Sequence, residues 1–396
     1  MKTKIFIMFM ALVGFSLAAM AQPNNYNAKT VKLIPETDFL PQADWGALFY
    51  DDSQSDDASR IGVLNEFALG PQEQIFVCNR GKYSLSILDK EGRIVKTFGK
   101  QGYKNGEFVN NPRLEGILSD KLVVVSDAQG RINFFDLQGN FVKLITIDFV
   151  PRDIYPLQSG NLIVWGGVPI HGNRSKDVIA ELDYASRKYS IIYENTTSNA
   201  QANIIIIPRG QGLVSYGAPY AQGQKMVRVT ADDQIILADN QSTTITIFKK
   251  ENGKYRESSF PIQANRIIIN PEDKQEFYEN LKENLVENKL DVSYAEKALA
   301  EGFYPEYLPY FYNVLTDAQN QVLFFIFTNE QGEDYAFEAY SPEGKLLGKS
   351  EFKIEGYDLL AQKQHFRFAN GFLYTLALKH GAAHPLRILK CSLEAE

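Results

Sequence analysis

Hydrophobic and polar positions along this chain fall into a phrase that recurs: a short apolar strand, a polar corner, a second strand, then a tight acidic or polar turn closed by glycine. It reads QIFVCNRGKYSLSILDKEG from Gln74 to Gly92 and KLVVVSDAQGRINFFDLQG from Lys121 to Gly139. It returns as QIILADNQSTTITIFKKENG from Gln234 to Gly253 and QVLFFIFTNEQGEDYAFEAYSPEG from Gln321 to Gly344. Period-two alternation and short apolar runs between Gly, Asn and Asp turns are the marks of β-strands. One supersecondary unit repeated at a fixed period means a repeat architecture, because each unit buries its apolar face only against its neighbours.

The turn glycines Gly92 and Gly139 lie 47 positions apart, close to the length of a four-stranded propeller blade. The pattern therefore predicts an all-β fold, a six-bladed β-propeller. Its blades fall near Ser59–Lys100, Asn111–Asp148, Pro151–Glu194, Lys225–Ile262, Leu308–Ile354 and Gln364–Leu393. The last offers about three strands, and an open ring would expose an edge that proteins normally cover. The lone β-like stretch AKTVKLIPE, residues 28–36, is expected to supply the missing outer strand. Two stretches break the phrase. Asn195–Gln224, with IIIIP and LVSYGAPYAQG, reads as an extended linker with some strand. In Pro271–Gly302 the period changes: Phe277, Leu281 and Leu285 fall at i, i+4 and i+8, which predicts an amphipathic helical insert between blades four and five, broken near Asp291. Asn270-Pro271-Glu272 opens it with an N-cap residue, a proline at the first helical position and an early acid.

The first 21 residues read as a secretory signal: Lys2 and Lys4, an apolar run from Ile5 to Leu17, and the small-x-small site Ala19-Met20-Ala21. The mature chain, 22–396, is then expected as one propeller domain, periplasmic or secreted. No cysteine follows the apolar run to carry a lipid, and no later stretch approaches the roughly 20 apolar residues of a spanning helix. The net charge of −7 comes without a basic stripe, so nucleic acid is not an expected partner. Cys78 and Cys391 are the only cysteines; an oxidising compartment would permit them to pair, whereas their apolar strands suit unpaired, buried thiols.

The stretches LVVVSDAQGRINFFDLQG and FGKQGYKNGEFVNNP, Phe98–Pro112, give the chain a resemblance to a secreted six-bladed propeller family of Bacteroidota, itself similar to NHL-repeat propellers. The first fits the NHL-type order of strand, Asp, short loop, Arg-Ile, strand and Asp-x-x-Gly turn; the second fits the connector between blades. Blades one and four depart from it, with Asn79 and Asp239 at the Asp position and no Arg-Ile, and blades three, five and six depart further. The resemblance implies a fold and an envelope location and carries no activity.

Candidate chemistry is sought where a propeller gathers side chains, at the starts of the inner strands and the ends of the second strands. The inner-strand starts carry Arg113, Glu115, Arg152, Asp153, Tyr312, Asn313, His365 and Arg367. Mixed charges there suit a polar or anionic ligand or a set of structural ion pairs between blades. The second-strand ends Asn79, Asp127 and Asp239 could converge on Ca²⁺, as such oxygens do in lactonase-type propellers, or simply cap their turns. His380 and His384 have metal-binding spacing only on a helix, which is not expected there. The acidic run DDSQSDD, Asp51–Asp57, lacks the glycine and closing glutamate of an EF-hand loop. No Gly-x-Ser-x-Gly, phosphate-loop, HExxH or CxxC motif occurs. The aromatic stretch after the insert, with Phe303, Tyr304, Tyr307 and Tyr310, is either a partner-binding surface or the packing under the insert. The favoured reading is a non-catalytic binding or scaffolding propeller without a cofactor, engaging an envelope protein or glycan. The alternative is a Ca²⁺-dependent lactonase-like hydrolase with its metal at the channel mouth.

Overall fold

The computed structural model describes residues 31–50, 65–127, 130–170, 174–198, 204–209, 212–217, 224–300, 303–317, 321–327, 335–360 and 366–395. The chain enters through strand β1 (Val31–Pro35) and the short helix α1 (Trp45–Phe49), capped by the Asp44 carboxylate. Blade one follows as β2 (Asn65–Leu69), β3 (Ile75–Asn79), β4 (Ser84–Leu88) and β5 (Ile94–Phe98). Blade two is β6 (Arg113–Leu118), β7 (Leu122–Asp127), β8 (Arg131–Asp136) and β9 (Phe141–Thr146). Blade three is β10 (Val150–Pro156), β11 (Leu162–Ile170), β12 (Arg174–Leu182) and β13 (Tyr189–Ser198). A hairpin, β14 (Ile204–Arg209) with β15 (Gly212–Gly217), stands where the sequence suggests a linker, and precedes blade four: β16 (Lys225–Val229), β17 (Ile235–Asp239), β18 (Thr244–Glu251) and β19 (Lys254–Pro261). Helices α2 (Pro271–Glu287) and α3 (Ser293–Ala300) form the insert. Blade five is β20 (Asn313–Thr316), β21 (Val322–Phe327), β22 (Tyr335–Tyr340) and β23 (Leu346–Lys353).

Blade six has a divided inner strand. Both β24 (Tyr357–Leu359) and β25 (Phe366–Ala369) pair with one edge of β26 (Phe372–Lys379), which pairs on its other side with β27 (Leu386–Ala395). The fourth strand of this blade is β1, antiparallel to β27 from Val31 opposite Ala395 to Pro35 opposite Cys391. β1 also makes a short parallel contact with β23, joining the outer edges of blades five and six into one hydrogen-bonded sheet.

Alternation along the strands builds the core as six interfaces between neighbouring blades. In β7, Val123 and Val125 face Phe76, Cys78 and Leu85 of blade one, while Val124 between them faces Ile154, Leu162 and Val164 of blade three. A strand buried on both faces reads as the unbroken run LVVVS, which is why the sequence phrase is apolar rather than strictly alternating. Blades three and four meet through Ile163, Trp165, Val227 and Ile235, blades four and five through Met226, Ile236, Val322 and Phe324. Leu315, Phe337, Leu373 and Leu33 join five to six, and Leu376, Ile388, Phe67 and Val77 close six onto one. The thiols of Cys78 and Cys391 are free, buried and in different interfaces, and burial pushes the Cys391 thiol up to about 12. A seventh cluster packs Tyr278, Leu281, Leu285, Ala295 and Ala298 of the helices on Ile207 of β14 and on Tyr304 and Leu308. Among the described residues no helix is long and apolar enough to cross a membrane.

Candidate functional site in the central channel

The inner strands β2, β6, β10, β16, β20 and β25 surround the axis, and their polar side chains reach sideways from blade to blade. The Glu66 carboxylate of blade one accepts the Leu114 N–H of blade two at 2.6 Å. Glu115 of blade two accepts the Ile154 N–H of blade three at 3.1 Å and the Ser126 hydroxyl of its own blade. The Tyr155 hydroxyl of blade three donates to the Val227 carbonyl of blade four. The Arg228 Nε of blade four donates to the Val314 carbonyl of blade five. Thr316 of blade five reaches back to the Val229 carbonyl at 3.1 Å. Arg113 adds an ion pair to Asp153 at 2.8 Å and a longer one to Glu66 at 3.8 Å. Burial raises the Glu66 carboxyl above its ordinary value, Arg113 opposes that shift, and Glu115 adds to it. Burial pulls the Arg113 guanidinium down, and the carboxylates of Glu115 and Glu66 outweigh it.

Within this ring lies a cavity of about 390 Å³. Thr230, Ala231 and Asp317, which follow β16 and β20, line it together with Phe368 near the end of β25. The cavity is thus lined both by the first residues of β6 and β25, Arg113 and Phe366, and by the last residues of β10, β16 and β20. Two β-bulges shape the lining: Glu115 is the extra residue between the Leu114–Val125 and Gly116–Val124 pairs, and Arg152 the extra one between Pro151–Gly166 and Asp153–Trp165. A bulge re-aims a side chain relative to the pleat. Glu115 is thereby turned into the channel, while Arg152 is turned away to pair with Asp177 at 2.9 Å and to lie over the Trp165 ring at 5.3 Å.

Of the residues the sequence proposed for a channel mouth, Arg113, Glu115, Asp153 and Arg367 line this one cavity. Arg152 does not, and Asp177 instead bridges it to Lys225 at 2.7 Å. Tyr312 is half-buried against the insert cluster, and burial raises its phenol. His365 lies outside the described residues, as does DDSQSDD. The sequence reading passed over Glu66, Tyr155 and Arg228. Their signal was a second polar side chain inside each otherwise apolar inner strand, NEFAL, DIYP and KMVRV, after the polar residue at its start.

The proposed metal ligands are each held in local bonds. The Asn79 amide donates to the Leu48 carbonyl at 3.2 Å and its oxygen accepts Lys82 N–H at 3.0 Å. Asp127 accepts Val109 N–H at 3.2 Å and pairs with Arg131, and Asp239 accepts Gln241 N–H at 2.9 Å. Among the described residues no three His, Cys, Asp or Glu side chains gather as metal ligands would. His380 pairs with Asp358 at 2.9 Å, while His384 lies against the Tyr50 ring, 4.6 Å between centroids. In the aromatic stretch, Tyr304 is buried beneath Phe277 and Tyr278 and cannot meet a partner, which corrects the surface reading for that residue. Phe303 is half-buried and stacks on Phe277, and half-buried Tyr310 carries the Arg266 guanidinium over its ring. Tyr307 keeps an exposed face beside exposed Ile268, its partner in an isolated bridge.

Sheet topology and six inter-blade cores make this an all-β propeller, and residues 67–221 match the model of a family described as a 6-bladed beta-propeller, DUF5128. No curated protein matches the chain. Similar solved structures include a member of the DUF4221 family from Bacteroides vulgatus, at 10% identity and a TM-score of 0.46, covering 93% of this chain and 100% of that one. Regucalcin from Agrobacterium tumefaciens, described as a calcium-binding protein, is similar at 11% identity and a TM-score of 0.44, covering 92% and 97%. A gluconolactonase from Xanthomonas campestris is similar at 9% identity and a TM-score of 0.43, covering 83% and 86%.

Proposed function

We propose that this protein is an exported, non-catalytic binding propeller that takes part of a glycan partner into its central cavity. The observation that carries this reading is the cavity itself: a concave space of about 390 Å³ whose polar walls are fixed in place by bonds between blades. Such a site is pre-organised, so little side-chain freedom is lost when a ligand enters. Its volume falls in the range of small-molecule pockets. Phe366, Phe368, Leu315 and Pro156 supply apolar surface against which a sugar ring packs, and Glu115, Asp153 and Thr230 supply hydrogen-bonding groups. The turn bonds made by Asn79, Asp127 and Asp239 favour this reading over a calcium-dependent lactonase, whose ligands would have to give up those bonds to reach a common ion. Export to the periplasm or beyond belongs to the same proposal and rests on the signal-like residues 1–21.

The test is thermal unfolding of the chain from Gln22, with calcium or chelator and then with a panel of oligosaccharides. The expected result is a melting temperature indifferent to chelator and raised by particular sugars. Stoichiometric calcium, a fall of several degrees on chelation and turnover of a lactone would replace this reading with the hydrolase.

A further inference from the structure

Arg228 is a buried and tightly held charge in the channel. It is only 6% exposed. Its Nε donates to the Val314 carbonyl, one Nη1 hydrogen to the Tyr155 hydroxyl at 3.2 Å and the other to the Val227 carbonyl at 2.6 Å. Nη2 donates to the Asn313 side-chain oxygen at 2.8 Å. Every one of these acceptors is neutral. A guanidinium has five N–H donors, so one remains, and no carboxylate of the described residues forms an ion pair with this arginine. A buried cation held only by neutral oxygens keeps an uncompensated charge, which is costly in a low-dielectric interior. Arg367 lines the same cavity with its guanidinium 5.8 Å from the centroid of the Phe67 ring. Burial lowers its affinity for a proton, the Glu66 carboxylate opposes that shift in part, and the positive charge of Arg228 adds to it. The acids of the cavity are engaged in bonds of their own: Asp153 with Arg113, Glu66 with the Leu114 N–H, Glu115 with Ser126 and Ile154, and Asp317 with its turn N–H of Gln321 at 2.8 Å.

Resting on the channel as the binding site, we infer that its ligand is an acidic sugar, whose carboxylate sits between Arg228 and Arg367 and whose hydroxyls donate to Glu115 and Asp153 across the cavity. The two sides of the site call for opposite halves of one molecule. A carboxylate supplies the missing counter-charge and accepts the remaining N–H, since hydrogen bonds between ionised partners are the stronger kind. Sugar hydroxyls are donors that carboxylates accept without any change of charge. A neutral sugar satisfies only the second side, and an inorganic anion only the first.

Calorimetric titration of the mature chain with galacturonic acid disaccharide, its neutral galactose counterpart and inorganic phosphate, at matched ionic strength, tests this. The acidic disaccharide is expected to bind at least about tenfold more tightly than either of the others, the worth of one charge-assisted hydrogen bond. Arg228→Gln, which keeps amide donors and removes the charge, should erase that preference; Arg367→Gln should reduce it. Because Arg228 also ties blades four and five, each variant is checked for unchanged melting temperature, and the comparison on the unmodified protein stands alone if a variant unfolds. Equal binding of the neutral disaccharide would overturn the acidic ligand and leave the glycan-binding channel standing. Binding of phosphate alone would mark a bare anion site and overturn it too. Binding of none of the three, with neutral sugars of the wider panel also inert, would remove both readings.

Discussion

Glu66 sits in an apolar inner strand, NEFAL, and its carboxyl is raised by burial above the ordinary value of 4.5. The folded state therefore holds its proton more tightly than the unfolded chain does. Its contribution to stability is fully present below about pH 4.5 and is lost as pH rises through the raised value. Glu66→Gln keeps an oxygen to accept the Leu114 N–H and carries no charge at any pH. The variant should gain in melting temperature relative to the parent as pH is raised from 4 to 8, and a gap that stays flat or shrinks across that range would show that Arg113 fully compensates the charge. Asn133 in β8 is a second residue-scale case. It is completely buried, and among the described residues neither its amide oxygen nor its nitrogen has a hydrogen-bond partner. An uncompensated amide costs about 1–3 kcal/mol by mutational measures, so Asn133→Val should raise stability by about 1 kcal/mol in denaturant titration. A loss of similar size would show that the amide is satisfied in solution.

The repeated glycine turn looks in the sequence like ordinary turn chemistry, and the packing of strands gives it a second cause. Gly139, at φ 71°, closes the turn between β8 and β9, where a Cβ would stand 2.6 Å from the ring of Phe98 at the end of β5. Gly344, at φ 84°, receives Phe260 from the end of β19 in the same way, at 2.2 Å. Gly253 has a similar φ of 78° and nothing within 4 Å. Gly253→Ala should therefore cost only the left-handed strain of about 1–2 kcal/mol. Gly139→Ala and Gly344→Ala should cost about 1–3 kcal/mol more, for overpacking against an outer strand. Equal losses at all three would make the turn geometry the sole cause. Elements were legible where a local period carried them: the helical rhythm of Leu281 and Leu285 is the buried face of α2, although Tyr278 rather than Phe277 is its fully buried ring. The hairpin of β14 and β15 was not legible as such, because the surface that covers Ile207 comes from helices more than 60 residues later. In the site, bulges at Glu115 and Arg152 shift the alternation by one residue, so position along a strand does not by itself tell which side chains line the cavity.

At the scale of the whole ring, closure depends on the two ends of the chain meeting. A propeller core is a circle of pairwise interfaces, so weakening one joint opens every blade to its neighbours' edges. That joint is β1. It gives blade six its outer strand through five residue pairs with β27, buries Leu33 to 1% exposure, and ends in an ion pair of Glu36 with Lys390 at 2.9 Å. Its first two residues, Val31 and Lys32, also pair with β23, so the strand fastens blades five and six to each other at their rims. The ion pair is partly exposed and contributes little; the buried leucine alone is worth about 1.5–3 kcal/mol, before the ladder of β27 is left open. A chain trimmed to begin after Glu36 should melt at least about 5 °C lower than one beginning at Ala28. It should also associate through the bared edge of β27, visible as a concentration-dependent rise in mass. Restoring residues 28–36 as a separate peptide should recover part of the lost melting temperature, because strand addition to an open edge needs no covalent link. If trimming leaves the melting temperature and the monomer unchanged, the ring is held by its six interfaces alone and β1 is only laid along its rim.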